Sequence, residues 1–381
     1  MKARTDSLTF RLSSAFKTPV LALGGQQKSR FCLGRGKDAF LSRDFGDLNL
    51  ADNFSAYRKE LAKICRELRF RPGLIARDLH PDYTLTCWAD RFRSRKFPRA
   101  EIIAVQHHHA HIASVLAAAG NRGPVIGIVW DGTGYGDDGA LWGGEFLIAD
   151  TRSCRRLAHL EYVPLPGGEK AIEEPWRMAL SYLYHFGGKD FLDPDLPLFK
   201  DLPGDRARFI LAMIDKEINS PSTSSVGRLF DAVSALLGLG DTSEFPAQAA
   251  IRLEKAVDAL PLRTYPFSLR SGKKPYIISF KRMFSEIIDD LRRRVPAGVI
   301  AAGFHAALVE MGAKVASRIA RETGLKKVVL SGGVFQNEII FRDLNARLKS
   351  AGLEPIFNRR LPLHDGGIAL GQAVVAADQI E

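Results

Sequence analysis

Two segments of this chain follow the same plan, and this repetition constrains the fold more than any other feature of the sequence. The first, from Pro19, reads PVLALGGQQKSRFCLGRGKDAFLSRDFGDL, and the second, from Pro124, reads PVIGIVWDGTGYGDDGALWGGEFLIAD. Each begins with a short apolar strand, breaks at a glycine-rich turn and resumes as one or two strands. Backbone N–H groups around such a turn suit a bound phosphate. The repetition therefore predicts duplicated lobes that face a shared cleft.

Helical patterns alternate with strands along the rest of the chain. Apolar residues recur at steps of three and four over residues 54–68 and again over residues 304–319, which predicts an amphipathic helix at each place. The apolar run at 328–330 predicts a buried strand, and a final helix is expected from Ile368. Strands that alternate with helices throughout place the chain in the α/β class.

A histidine-rich segment is the strongest local signal for chemistry. Val105-Gln-His-His-His-Ala-His111-Ile holds four of the nine histidines of the chain. In a helix, His107 and His111 would lie one turn apart on the same face, as two ligands of one metal ion must. Capped, stacked or exposed histidines are the alternative. We expect one divalent transition metal here, iron or zinc, because imidazole suits both, with an Asp from another loop as a further ligand.

Two glycine-rich turns that follow apolar strands are candidates for binding a nucleotide. In Trp130-Asp-Gly-Thr-Gly-Tyr-Gly136, the carboxylate of Asp131 could hold a cation or orient a nucleophile, and Thr133 adds a hydroxyl. Ser331-Gly-Gly-Val-Phe-Gln-Asn337 has the strand–glycine–helix form that seats a nucleotide at a helix N-terminus. A plain hairpin turn and a tight strand-to-helix connection are the alternatives.

Two further carboxylates stand near predicted helix starts. Asp231, in Ser225-Val-Gly-Arg-Leu-Phe-Asp231, could accept hydrogen bonds from ribose hydroxyls or could stabilise the first helical turn through the helix dipole. Asp365 precedes a Gly-Gly pair and could bind a ligand or cap the last helix. The sequence does not choose between these roles.

The composition is that of a globular protein with an excess of positive charge. The 54 Lys and Arg against 43 Asp and Glu give a net charge of +11, which suggests an anionic ligand, an acidic partner or nucleic acid. We interpret the basic run at 91–99 as a solvated surface and expect no nucleic-acid partner. The four cysteines form no CxxC pair, which argues against a zinc ribbon. With no membrane-length apolar run and no secretory signal found, we expect a cytoplasmic protein without a membrane partner.

Six motifs occur in an order that is highly specific. They are QHHHAHIAS, DGTGYG with WGGEF, PLPGG with EPWRMALSYL, GRLFDAVSALLG, LSGGVFQN and HDGGIALGQA. In this order they resemble the C-terminal transferase domain of the HypF hydrogenase-maturation carbamoyltransferases, over about residues 17–377. More distantly, the chain is similar to the TsaD-type tRNA threonylcarbamoyl transferases and to antibiotic O-carbamoyltransferases. The resemblance implies an actin/hexokinase-like (ASKHA) fold, which is a pair of RNase H-like lobes around a nucleotide cleft.

The resemblance also implies an activity and the residues that perform it. A carbamoyl group would pass from carbamoyl-adenylate, formed with ATP, to a C-terminal cysteine thiol of a HypE-type partner, and would become a cyanide ligand of the NiFe hydrogenase centre. The implied metal ligands are His107, His111 and Asp365. The implied catalytic residues are Lys28, Asp131 and Thr133. The implied adenylate-binding residues are Asp131, Gly132, Thr133, Gly134, Gly227, Asp231, Gly332, Gly333 and Asn337.

The resemblance and the patterns together divide the chain into parts. We expect a disordered lead-in at residues 1–16 and a first RNase H-like lobe at 17–122, which carries the histidine motif. A second RNase H-like lobe at 123–367 would carry the nucleotide-binding turns. The helix at 368–381 is expected to pack back on the first lobe.

The chain departs from the family pattern at two turns and in its extent. The first hairpin keeps Lys28 of an expected Lys-Asn-Thr triplet, but Ser29 and Arg30 replace the other two residues. Ala247 stands where the family usually has Gly, a change that would reshape a loop at the cleft.

No YrdC-like domain, which makes carbamoyl-adenylate in the family, is visible in the sequence. We therefore expect a short form or an excised domain that relies on a YrdC-like synthase in trans or on a missing segment. A tRNA threonylcarbamoyl transferase-like enzyme and a non-catalytic adenylate-binding scaffold are the alternative functions.

Overall fold

The computed structural model describes residues 6–200, 202–258, 263–270 and 272–380, and within them the chain forms two β-sheets flanked by helices. The strands are β1 (Leu8–Ala22), β2 (Cys32–Leu41), β3 (Leu74–Asp78), β4 (Glu101–Val105), β5 (Val125–Tyr135), β6 (Leu141–Ala149), β7 (Cys154–Leu160), β8 (Val163–Pro164), β9 (Ser222–Thr223), β10 (Ser268–Arg270), β11 (Tyr276–Ser279), β12 (Lys327–Ser331) and β13 (Glu354–Ile356). The helices are α1 (Ala51–Glu67), α2 (Thr84–Lys96), α3 (His107–Ala118), α4 (Lys170–Glu173), α5 (Trp176–Gly187), α6 (Gly204–Asp215), α7 (Val226–Leu236), α8 (Gln248–Lys255), α9 (Lys281–Arg292), α10 (Ala297–Thr323), α11 (Glu338–Ser350) and α12 (Ile368–Ile380). The alternation predicted from the sequence is confirmed as a mixed α/β fold.

The first sheet has the strand order β2-β1-β3-β4. β1 and β2 form an antiparallel hairpin, while β3 runs parallel to β1 and β4 runs parallel to β3. Val20 and Ala22 of β1 pack towards α3 and α12, and Leu21 between them packs towards α1 and α2. Because successive side chains of a strand point to opposite faces, helices must cover both faces of this sheet.

The first strand begins well before the segment that the sequence predicted. β1 starts at Leu8, so the expectation of a disordered lead-in is wrong for residues 8–16. Phe10, Leu12 and Phe16 are buried in alternation with exposed residues, and this part of β1 pairs with β2. The period-two pattern is interrupted in the sequence because Ser14, between Leu12 and Phe16, is polar at a position where the alternation requires an apolar residue. Residues 1–5 of the predicted lead-in lie outside the described residues.

The second sheet has the order β10-β11-β7-β6-β5-β12-β13, and β8 and β9 extend it beside β6. β5 and β6 form an antiparallel hairpin, as β1 and β2 do, and β12 runs parallel to β5. The pairing of β5 with β6 is irregular between Trp130 and Gly134. The glycine-rich turn of the second hairpin therefore leaves the regular ladder, which frees its backbone groups for other contacts.

The longest helix is apolar enough to resemble a membrane span. α10 has 27 residues, and an 18-residue window of it has a mean hydropathy of 1.4, so the expectation of no membrane-length apolar segment was wrong for this helix. However, 78% of that window is buried inside the protein, where Phe304, Leu308 and Met311 join the core of the second sheet. Its length and composition are explained by this core.

The last helix returns to the first sheet. α12 packs on β1 and against α3, and a Cβ atom at Gly371 would lie 1.9 Å from the carbonyl oxygen of Ala110, so the two helices cross closely. The side chain of Gln372 accepts a hydrogen bond from the backbone N–H of Gly24 at 2.8 Å and donates one to the carbonyl oxygen of Gly24 at 3.2 Å. α12 thus fixes the turn of the first hairpin. The boundary at residues 122 and 123 stays a prediction, and Glu381 lies outside the described residues.

Candidate metal and nucleotide site

The histidine segment forms the first turns of α3, as its spacing predicted. The side chain of Gln106 caps the helix by accepting a hydrogen bond from the backbone N–H of His109 at 2.8 Å. Because α3 lies between the two sheets, all four histidines of the segment are buried. The imidazole rings of His107 and His111 face each other one turn apart, with centroids separated by 5.0 Å.

Two carboxylates from distant parts of the chain meet these two imidazoles. The Nε2 atom of His107 lies 3.7 Å from both Asp131 Oδ2 and Asp365 Oδ1. The Nε2 atom of His111 lies 2.9 Å from Asp131 Oδ2 and 3.6 Å from Asp365 Oδ1. One ligand atom from each of the four residues lies within 4.8 Å of the others. The structure brings together the three predicted metal ligands and adds Asp131, which the sequence analysis had assigned to catalysis and nucleotide binding.

The donor atoms of this cluster fit a metal ion. His107 Nδ1 is hydrogen-bonded to Asp78 Oδ2 at 2.8 Å, so the lone pair of Nε2 is directed into the cluster. That Nε2 atom is fully buried and has no hydrogen-bond partner, which is costly unless another group occupies the space before it. His111 Nδ1 is similarly held at 3.1 Å by the hydroxyl of Ser331. Two imidazoles and two carboxylates form a ligand set that suits zinc and iron.

The charges of the cluster are strongly coupled. Burial favours neutral His107, but the carboxylates of Asp78, Asp131 and Asp365 outweigh burial and raise its pKa well above the ordinary value. Burial likewise favours neutral Asp131, but His107 and His111 hold the pKa of this carboxyl well below its usual range. The pKa of Asp365 is lowered as well, so the carboxylates of Asp131 and Asp365 stay ionised and require nearby positive charge. Imidazolium protons or a divalent cation can supply it.

The other two histidines of the segment are not members of the cluster, although the ring centroid of His108 lies 5.5 Å from that of His107. His109 Nε2 contacts the carbonyl oxygen of Asp150 at 2.8 Å, and its pKa is lowered by burial. His108 packs against Trp142, and burial together with His107 and His111 lowers its pKa well below the ordinary value. Both imidazoles are therefore neutral. They support the packing of α3.

The glycine-rich turn after β5 connects this cluster to the second glycine-rich turn. Asp131 Oδ1 accepts hydrogen bonds from the backbone N–H groups of Gly132, at 2.7 Å, and Gly333, at 3.1 Å. Gly332 has a φ of 108°, and a Cβ there would lie 2.2 Å from the carbonyl oxygen of Trp130. Only glycine fits this close approach. Asp131 therefore has one carboxylate oxygen in the cluster and the other on the two turns.

A cavity of about 350 Å³ opens beside the cluster. The predicted site residues that line it are Lys28, Asp131, Gly132, Thr133, Gly227, Asp231, Gly333, Asn337 and Asp365. Gly134 and Gly332 are not among its lining residues. One side is apolar and is formed by Ile172, Phe230, Pro246, Ala250, Ile251 and Val334. An apolar wall with polar groups at one end suits a nucleotide base and its phosphate.

Asp231 lines the cavity, and its role as an acceptor for ribose hydroxyls stays a prediction. It lies in the middle of α7, so its suggested role as a carboxylate of the first helical turn is wrong. Its Oδ2 atom lies 2.8 Å from Arg228 Nε, although the contact lacks hydrogen-bond geometry. Burial raises the pKa of Asp231 to about 6, despite the opposing effect of Arg228. Arg228 Nε and Nη1 also have no hydrogen-bond partner, so this residue of the cavity wall keeps buried donors that form no hydrogen bond.

Several other site residues are held by contacts that the sequence did not reveal. Asn337 accepts a hydrogen bond from Ile340 N–H at 2.9 Å, which caps α11, and donates one to His305 Nε2 at 3.0 Å. His364, and not Asp365, caps the final turn by accepting from the backbone N–H of Gly366. The suggested capping role of Asp365 is therefore wrong, and its carboxylate is left for the cluster.

Two residues that line the cavity, Lys28 and Ala247, have an unusual backbone. Lys28 has a φ of 46°, and its Nζ atom lies 3.5 Å from Gln336 Oε1 across the cavity. Ala247, immediately before α8, has a φ of 63°. Residues other than glycine rarely adopt this left-handed conformation. The turn at Ala247 thus keeps the geometry that a glycine would provide.

Sequence reasoning missed Asp78 and Arg228. Asp78 ends β3 immediately before the loop Leu-His-Pro-Asp-Tyr83. The signal that could have found it is its position at the carboxyl end of a parallel strand, an edge where ligand-binding side chains collect. Arg228 lies inside the quoted GRLFDAV motif, where a basic residue in an apolar helix was a signal for a buried function.

Comparison with known proteins agrees with this geometry. A family model described as "Carbamoyltransferase, Kae1-like Domain, second subdomain" matches residues 127–372, and another described as "HypF Kae1-like domain" matches residues 15–118. The chain belongs to the HypF Kae1-like domain family. The resemblance found in the sequence motifs is confirmed.

Relatives and a solved structure extend the match over nearly the whole chain. Carbamoyltransferase HypF2 of Cupriavidus necator is 40% identical over 379 residues, which cover 94% of this chain and 46% of that protein. A carbamoyltransferase HypF homolog of the same organism is 37% identical over 368 residues, which cover 95% of this chain and 92% of that protein. A crystal structure of full-length HypF in the phosphate- and nucleotide-bound form matches with a TM-score of 0.91 and 38% identity, over 98% of this chain and 57% of that one. The predicted actin/hexokinase-like fold is confirmed.

A more distant similarity covers only part of the chain. A tRNA N6-adenosine threonylcarbamoyltransferase of Thermus thermophilus is 32% identical over 151 residues, or 39% of this chain and 43% of that protein. The chain spans about half the length of several of the HypF relatives that it matches, including those of Synechocystis and Rhizobium leguminosarum. The activity of those longer proteins is therefore carried over below as a proposal.

Proposed function

We propose that this chain transfers a carbamoyl group from carbamoyl-adenylate to the C-terminal cysteine thiol of a HypE-type partner, for the cyanide ligands of NiFe hydrogenase. The observation that carries the proposal is that Asp131 belongs at once to the His107–His111–Asp365 cluster and to the wall of the cavity. Relatives named carbamoyltransferase HypF, 35–40% identical over most of the chain, support the carbamoyl chemistry.

One divalent iron or zinc ion would be held by Nε2 of His107 and His111 and by the carboxylates of Asp131 and Asp365. When bound, the ion supplies Lewis acidity to the carbamoyl oxygen or holds the phosphate of the adenylate. Asp78 orients His107 towards it, and Ser331 orients His111.

The cavity would hold the adenylate with its base on the apolar wall and its phosphate towards Asp131. The backbone N–H groups of the two glycine-rich turns lie at that end, and Lys28 faces them across the opening with a positive charge for the phosphate. Arg228, whose Nε and Nη1 atoms lack a hydrogen-bond partner although Nε lies 2.8 Å from Asp231 Oδ2, and the carboxyl of Asp231 provide a donor and an acceptor in the cavity wall. Such preorganised groups can orient the reactive anhydride for attack.

The transfer itself would be direct. The acceptor sulfur forms a bond to the carbamoyl carbon while the bond from this carbon to the phosphate oxygen breaks, so AMP leaves with the electron pair and the thiol proton is released. Among the residues that the structure describes, no cysteine lines the cavity, which supports transfer without an intermediate on this chain. Enclosure between the lobes keeps water from competing with the thiol.

The same proposal includes a division of labour between proteins. A YrdC-like synthase, in trans or on a segment outside this sequence, supplies carbamoyl-adenylate from ATP and carbamoyl phosphate. The transfer takes place in the cytoplasm, where thiols stay reduced, and a thiol acceptor requires such a compartment.

Carbamoylation of a peptide tests the proposal. The chain is incubated with a YrdC-like fragment, ATP, carbamoyl phosphate and a peptide that ends as HypE does, and mass spectrometry detects the added carbamoyl group on its cysteine. Transfer should require both the chain and the fragment, and His107→Ala with His111→Ala should abolish it. The matched control His109→Gln alters a histidine of the same helix outside the cluster and should retain transfer. An unmodified peptide with folded, metal-loaded protein, or equal transfer by the double variant, would refute the proposal.

A further inference from the structure

A groove on the outer face of the first sheet takes no part in the site described above. It lies between the C-terminal ends of α1 and α2, on the opposite face of the sheet from α3 and α12, and has a volume of about 650 Å³. Leu61, Cys65 and Phe70 form a buried apolar floor, and Phe92 and Phe97 flank it half-buried. We refer to it as the α1–α2 groove.

Four exposed cations line this groove, and the part of the chain that the structure describes gives them no ion-pair partner. Arg66, Arg69, Arg71 and Lys96 line it, and all four are exposed. Within the described ranges, no Asp or Glu forms an ion pair with any of them, although nearby Lys63 does pair with Glu67. Four positive charges held around one small concavity repel each other, so an arriving carboxylate is attracted by all of them.

The positive charge of the whole chain is concentrated in this part. Residues 1–105 contain 21 Lys and Arg against 11 Asp and Glu, whereas the whole chain has 54 against 43. Nearly all of the net charge of +11 therefore belongs to the segment that builds the first sheet. Of the basic run at 91–99, interpreted from the sequence as a solvated surface, Lys96 lines the groove, beside Phe92 and Phe97.

The shape of the groove favours a polypeptide over a nucleic acid. Single-stranded nucleic acids bind by stacking bases on exposed aromatic faces. Here Phe70 is buried, and Phe92 is already stacked on Trp88, with ring centroids 4.1 Å apart, and packed against Phe97. Trp88 thus covers one face of Phe92, which limits stacking by a base, while the half-buried Phe92 and Phe97 still offer apolar contact to an aliphatic side chain at the edge of the floor. We propose that the α1–α2 groove is a docking site for an acidic segment of a protein partner, with one apolar side chain of that segment seated on the floor.

Binding of a designed peptide tests this docking site. The probe is a fluorescein-labelled peptide of Glu and Asp with one central Leu, and its fluorescence anisotropy is measured with the full chain. The variant Arg66→Gln, Arg71→Gln, Lys96→Gln removes three charges of the rim and should weaken binding roughly tenfold, as the loss of three exposed ion pairs predicts. Raising NaCl to about 0.5 M should weaken wild-type binding as well, because screening then acts within a few Å.

A second triple variant separates the groove from the overall charge. The control variant is Arg321→Gln, Lys326→Gln, Lys349→Gln, which removes three positive charges far along the chain from the groove. Like the groove variant, it changes two cations in the last turns of helices and one cation in a loop. This variant should bind the peptide as wild type does. A peptide with Gly in place of Leu should bind more weakly than the original peptide, because its apolar anchor is lost.

Several outcomes would overturn the proposal. They are no peptide binding by the wild type at low salt, equal losses in the two triple variants, and equal binding of the Leu and Gly peptides. An oligothymidylate that binds the wild type and loses binding only in the groove variant, with no binding of the peptide, would assign the groove to nucleic acid instead. Binding of anionic vesicles in place of the peptide would assign it to a lipid surface.

Discussion

Asp78 offers the sharpest test of how this structure prepares a metal site. Replacing it by Asn keeps the size of the side chain and removes the charge that faces His107 Nδ1 across 2.8 Å, with both groups buried. Loss of such an orienting partner commonly lowers metal affinity by about 10–100-fold, or about 1.4–2.8 kcal/mol. The effect should lie in the upper part of this range, because both groups are withdrawn from water, which cannot replace the lost interaction.

Two further variants set the scale. Ser331→Ala removes a neutral hydroxyl 3.1 Å from His111 Nδ1, and the loss of a neutral hydrogen bond should cost about 0.5–1.5 kcal/mol, less than the charged one. Asp82→Asn makes the same chemical change as Asp78→Asn on an exposed residue of the following loop and should leave affinity unchanged.

Competition with a chromophoric chelator measures these affinities for zinc and ferrous iron, and far-UV circular dichroism confirms that each variant is folded. We expect the wild type and Asp82→Asn to bind the metal equally tightly, Ser331→Ala to bind it more weakly, and Asp78→Asn to bind it most weakly. A folded Asp78→Asn protein with wild-type affinity would show that the Asp78–His107 hydrogen bond does not prepare a ligand. A larger loss for Ser331→Ala than for Asp78→Asn would contradict the argument from charge.

Two other predictions follow from buried or strained positions. Ala247→Gly should stabilise the fold by about 0.5–1 kcal/mol, because relief of the left-handed backbone, worth about 1–2 kcal/mol, exceeds the cost of the greater entropy of glycine in the unfolded chain. The control Ala250→Gly, inside α8, should destabilise the fold. Urea unfolding measures the sign of both changes in the free energy of unfolding. Burial lowers the pKa of His305 from 6.5 to about 4, so the unfolded chain binds a proton that the folded chain refuses. The contribution of neutral His305 to the free energy of unfolding is fully present above pH 6.5 and is lost as the pH falls towards 4. His305→Gln should therefore reduce the fall of the unfolding midpoint between pH 6.5 and 4. If the midpoint of the variant falls as steeply as that of the wild type, His305 is not the cause of this pH dependence.

The sequence predicted well those features that depend on local pattern. The helix that begins at His107 follows from the order of residues around it, and so does the long apolar face of α10. The hairpins of β1 with β2 and of β5 with β6 follow from apolar strands separated by glycine-rich turns. Burial of a periodic face leaves its mark on neighbouring residues, so a single sequence can reveal it.

The same reasoning failed where neighbours in space are far apart in the chain. The buried side of β1 before Phe16 was hidden because its apolar residues are few and lie among polar ones, and only pairing with β2 explains them. Asp231 was read as lying near a helix start, whereas α7 begins earlier and pairs it with Arg228.

By itself, the sequence of this protein determined its fold class, its family and the helical pairing of His107 with His111. Only the tertiary structure decided that Asp131 joins them, that Asp78 orients His107, and that unpaired cations surround a groove on the other face of the sheet. The physical reason is that periodicity records which face of an element is buried, while a ligand set depends on distances of a few Å between separate elements. Those distances are fixed only when α3, β5 and the loop before α12 pack together.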